Sequence, residues 1–72
     1  MYLTKNPRVH EWMDEFKTYG LDFCQKMLCR LEADMDYYYG FGAENPKHLW
    51  THDLGDQLQL ITELRRYLNG AS

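Results

Sequence analysis

Two Asn–Pro pairs and three glycines divide this sequence into helical segments before any other feature is weighed. Asn6–Pro7 and Asn45–Pro46 each set a side chain able to cap a helix before a ring that suits the first helical position. Neither proline fits a helix interior, so each marks a start. Gly20, Gly40 and Gly70 follow Tyr19, Tyr39 and Asn69, and each can take the left-handed conformation that closes a helix. The expected helices are 7–19, 22–39 and 46–69.

Gly20 is the ambiguous stop. Val9, Met13, Phe16, Phe23, Met27, Leu31, Met35 and Tyr38 keep a helical spacing across it, which permits one helix from Pro7 to Tyr39. The local chemistry favours a break. With Gly20 just past the helix end, Leu21 falls where it can touch Phe16, and Asp22 with Gln25 has the form of a capping box.

The second segment carries Cys24, Leu28, Leu31, Met35 and Tyr38 on one stripe, widened by Phe23 and Met27. The third carries Leu49, Trp50, Leu54, Leu58, Ile61, Leu64 and Leu68 at spacings of three or four. Thr51 or Asp53 offers this last helix a second starting cap, and Gly55 weakens it by about 1 kcal/mol relative to alanine. No segment alternates with period two, so the fold class is all-α: a small three-helix bundle or helical hairpin, which dimerisation would enlarge. A helix over 46–69 would measure roughly 36 Å at 1.5 Å per residue and overhang the others, which with the small core makes either a monomeric three-helix bundle or a dimer with more helices reasonable. The expected core is Phe16, Cys24, Met27, Leu28, Leu31, Met35, Leu54, Leu58, Ile61, Leu64 and Leu68.

With 72 residues, the chain reads as one domain over 1–72, too small for most catalytic scaffolds. No apolar run approaches the roughly 18 residues of a membrane span, and the start lacks the apolar stretch of a secretory signal. A cytoplasmic protein with no membrane partner is the expectation. Cys24 and Cys29, five apart, would point about 140° from each other on a helix and read as reduced thiols.

The net charge of −3 is local. Residues 1–31 and 57–72 each sum to +1, while Glu32, Asp34, Asp36, Glu44, Asp53 and Asp56 face only Lys47 in between, leaving −5. The same stretch holds Tyr37, Tyr38, Tyr39, Phe41 and Trp50, five of the eleven aromatics. Glu32 and Asp36, four apart on a helix, repel each other by a few tenths of a kcal/mol, a cost that a basic partner would relieve. Tyrosines beside carboxylates add rigid contact area with a hydrogen-bonding tip. The expected contact patch is Glu32, Asp36, Tyr37, Tyr39, Phe41 and Glu44, with Trp50 at its edge. Its expected partner is a larger protein with a basic surface.

Such a module would act without catalysis, cofactor or metal. It would act as an inhibitor where the partner's basic face normally holds nucleic acid, in the manner of small acidic inhibitors from phage and mobile elements. A homo-oligomeric helical assembly component is the alternative. His48 and His52 share the spacing of metal ligands, with Asp56 one turn on, but the Glu of a HExxH motif is missing. Direct nucleic-acid binding is not expected, because Lys17, Lys26 and Arg30 are too few for a recognition helix. A pairing of His10 with either cysteine lacks an oxyanion loop.

Overall fold

The computed structural model describes residues 1–40 and 48–70. Among these, three helices pack pairwise, α1 (Pro7–Tyr19), α2 (Leu21–Gly40) and α3 (Leu54–Leu68), and no strand is present. The architecture is an all-α three-helix bundle. The Asn6 side chain accepts a hydrogen bond from the Arg8 N–H at 3.0 Å and Pro7 follows, as the residue types dictate.

The chain breaks at Gly20, whose φ of 103° lies where a side chain would be strained. One residue serves both helices: the Gly20 N–H donates to the Lys17 carbonyl, and its own carbonyl accepts from the Cys24 N–H. Asp22 therefore sits inside the first turn of α2, where its charge complements the dipole, and does not cap it. Leu21, the residue after Gly20, is exposed.

α3 is shorter than the 46–69 expected. It begins at Leu54 because the Asp53 side chain accepts from the Asp56 N–H at 2.9 Å and caps it. Residues 48–53 form turns, with His52 at a φ of 60°. Asn45 and Pro46 lie outside the described residues. At 15 residues α3 spans roughly 22 Å, so the expected overhang is absent.

Val9, Met13 and Phe16 of α1, Cys24, Leu31 and Met35 of α2, and Leu60, Ile61 and Leu64 of α3 form the core, closed by Leu49 from the turn before α3. Met27, Leu28, Leu54 and Leu68, expected inside, are partly buried at its margin. Leu58 is a correction: it is 43% exposed, and Leu60 is buried instead. The reason is that α3 turns Asp56, Gln57 and Glu63 inward, which rotates its buried stripe away from Leu58.

Each of those polar groups is answered. Gln57 donates through Nε2 to the Leu31 carbonyl and Asp34, and its Oε1 accepts from the Thr51 N–H and hydroxyl, tying the turn to α2. Residues 1–6 run along α3 as a strap. The Thr4 N–H donates to Glu63 at 2.7 Å, and the Asn6 side chain donates to Asp56. Arg66 also pairs with Glu63 at 3.0 Å. No buried side-chain nitrogen or oxygen among the described residues lacks a partner, which is the condition for carrying polar groups in a core this small.

Candidate interaction surface

The acids of the middle stretch, one cluster in sequence, have separate fates in space. Asp56 is held by both forks of Arg8, Nε to Oδ2 at 2.8 Å and Nη2 to Oδ1 at 3.0 Å. The Arg8 hydrogen bond, with that of Asn6, keeps the Asp56 carboxyl below its usual range against the opposing effect of burial. Asp53 caps α3. Asp34 pairs with Arg30 at 3.2 Å and accepts from the Trp50 N–H at 3.0 Å, fastening the turn onto α2.

Glu32 pairs with Arg65 of α3 at 2.5 Å. This corrects the premise that its repulsion with Asp36 awaits an external cation: Arg65, 33 residues away in sequence, already answers Glu32. Asp36 is exposed and has no ion pair among the described residues. It lies one residue before the last turn of α2, a turn without a basic side chain, so carboxylate and helix dipole add their negative potentials.

Tyr37 and Tyr39, which follow Asp36 in α2, are 51% and 65% exposed. Tyr37 lies 6.0 Å from the His48 ring, and Tyr39 meets Tyr38 edge-on at 5.5 Å. Trp50 belongs elsewhere. Its half-buried ring packs on Trp12 and Phe16 at 5.5 and 5.6 Å, so it supports the core and is not free for a partner. Phe41 and Glu44 lie outside the described residues. Glu32, Asp36, Tyr37 and Tyr39 thus share the C-terminal half of α2.

Two hollows, which sequence reasoning missed, meet at Leu58, and the first of them borders this surface. One of about 390 Å³ lies between α2 and α3, lined by Glu32, Met35, Asp36, Leu58, Ile61 and Arg65. The other, about 330 Å³, lies on the far side of Leu58 and reaches Leu3 and Thr62. An exposed leucine at a core spacing was the available signal, but periodicity assigned it to the interior.

The other chemistries have no constellation. His48 and His52 precede α3 in turns and share no helical face with Asp56, which Arg8 occupies. Among the described residues no group of three or more His, Cys, Asp or Glu could hold a metal ion. His10 Nε2 is 2.5 Å from the Thr4 carbonyl. Cys24 is buried, with a thiol pKa pushed up by desolvation, and Cys29 is exposed. No helix of the described residues is long and apolar enough to cross a membrane.

Fold and surface together define a small all-α bundle with an acidic, aromatic helix end. Residues 21–70 match the family described as large polyvalent protein-associated domain 11, and the chain belongs to that family. The match begins where α2 begins and leaves α1 and the strap outside it. Comparison with curated proteins and with solved structures finds no match.

Proposed function

We propose that this protein is a non-catalytic, cytoplasmic interaction module that docks the acidic, tyrosine-bearing end of α2 on a basic face of a larger protein. The observation that carries the reading is Asp36: a carboxylate without an ion pair among the described residues, near a helix C-terminus, followed within three residues by two exposed tyrosines. Charge of this kind steers encounter, and tyrosines supply contact area once docked. Phe41 and Glu44 complete the contact in this reading. The family's description, which associates the domain with large polyvalent proteins, fits a phage or mobile-element setting. Where the basic face is a nucleic-acid groove, docking blocks it, as small acidic inhibitors of phage and mobile elements do.

The test starts with the full chain as bait in its native host, followed by affinity measurements on the purified partner. Affinity should fall with added salt, and the combined Asp36→Asn, Tyr37→Ala, Tyr39→Ala variant should bind at least about tenfold more weakly while circular dichroism shows its helices intact. Affinity indifferent to both salt and the variant overturns the reading. The alternative, a homo-oligomeric assembly component, draws on exposed Tyr19 and Leu21 at the α1–α2 corner. A mass in solution that stays monomeric with concentration sets it aside.

A further inference from the structure

The hollow between α2 and α3 combines an apolar floor with a charged rim that has a definite polarity. Met35 and Ile61, 7% and 5% exposed, form the floor, and Leu58 stands at 43% exposure between this hollow and the next. At one side of the rim Arg65 is engaged by Glu32. Along the rim Asp36 has no ion pair among the described residues and lies near the negative end of the α2 dipole. Glu32 and Arg65 answer each other, so the rim's remaining charge is the carboxylate of Asp36, which attracts a cation to that side. The same net negative charge disfavours a phosphate backbone as the occupant.

We propose that this cleft is where a protein partner's short amphipathic segment docks, with an aliphatic side chain on Leu58 and Ile61 and a lysine or arginine on Asp36. The inference rests on the reading above and adds to it the chemistry of the partner's segment. The volume of about 390 Å³ falls within the range of pockets that enclose a ligand group, and it is large enough for an aliphatic side chain and the stem of a basic one. The neighbouring hollow across Leu58 extends the track, so a second apolar residue one helical turn along the segment would fall beside Leu3. The acidic rim gives the segment its orientation; the exposed leucine gives it a contact that salt does not screen.

The experiment uses the immobilised full chain to select from a random dodecapeptide library displayed on phage. The expected enrichment is for peptides carrying Lys or Arg three or four residues from Leu, Ile or Met. The leading peptide, made synthetically, should lose at least about tenfold in affinity for Leu58→Glu and for Asp36→Lys, while Gln25→Ala, an exposed position near the other end of α2, binds it as the wild type does. Both substitutions sit on exposed positions, and circular dichroism of each variant verifies its fold. Enrichment of peptides without a basic residue, no enrichment, or binding indifferent to Leu58→Glu overturns the proposal. A wild-type dimer that Leu58→Glu makes monomeric also overturns it, by giving the cleft to a second copy. If the native partner still binds Leu58→Glu but not the combined Asp36, Tyr37 and Tyr39 variant, the cleft proposal fails and the docking surface stands. Loss with Leu58→Glu and with Asp36→Lys but none with the double Tyr37→Ala, Tyr39→Ala variant fails the surface and leaves the cleft.

Discussion

Asp56 and Glu63 on α3 and Asp36 on α2 are all carboxylates within a turn or two of exposed helix surface, yet the fold treats them in opposite ways. Asp56 and Glu63 are buried, and each is answered at least twice: Asp56 by Arg8 and Asn6, Glu63 by Arg66 and the Thr4 N–H. Asp36 is exposed at the end of a helix whose dipole opposes it. The first pair fastens residues 1–8 to α3. The second site costs local stability and contributes no ion pair among the described residues. An acid count over the middle of the chain merges two populations, one consumed by folding and one left exposed.

The comparison breaks first, and hardest, at Glu63. Glu63→Ala removes the acceptor for Thr4 and the partner of Arg66 from a position only 2% exposed. Hydrogen bonds to a charged group contribute roughly 1.5–3 kcal/mol, and the orphaned N–H adds its own desolvation. The expected loss is about 2–3 kcal/mol of unfolding free energy in urea, with the strap released. Proteolysis near residues 1–6 should accelerate in parallel, and a variant as resistant as the wild type would show that the strap is held by other means.

Asp56 should report through pH. Its carboxyl titrates below the ordinary value near 3.8 because Arg8 and Asn6 favour the charged form. A depressed folded pKa means that the stabilisation is complete above the unfolded value and disappears as pH falls from about 4 through the folded pKa. Asp56→Asn should melt lower than wild type at pH 7, and the two curves should converge as the buffer is taken towards pH 2. A difference that stays constant from pH 7 to pH 2 would mean that packing, and not charge, is what Asp56 contributes.

The legibility of these features follows the range of the interactions behind them. Asn6, Pro7 and Gly20 act on their own backbone or within one turn, so their sequence is enough to place α1 and the break after it. Asp53 as the cap of α3 was readable in the same way, but Asn45–Pro46 offered a stronger-looking start. Leu58 was misplaced because periodicity counts polar residues as solvent-facing, and α3 hides Asp56, Gln57 and Glu63 on its buried stripe. Besides the local contacts at Thr51 and Arg66, each has a partner 23 to 59 residues away, on the strap, α1 or α2. The Glu32–Arg65 pair fails to show in sequence for the same reason. The cleft beside Leu58 was invisible too, since it exists only once α2 and α3 are set side by side.

The smallest effect on the fold is expected at Asp36, with the opposite sign. Asp36→Lys removes the like charge one turn from Glu32 and places a cation near the C-terminus of α2, two changes that each favour the helix. The variant should gain about 0.3–1 kcal/mol at low ionic strength, a gain that added salt shrinks. Thermal melting at 20 and 300 mM salt checks both the sign and the screening. If Asp36 is retained for a partner, the same variant that stabilises the bundle should be the one that docks worst, the usual trade between stability and a working site. Destabilisation by Asp36→Lys would instead place Asp36 with Asp56 and Glu63, as an acid that the fold needs.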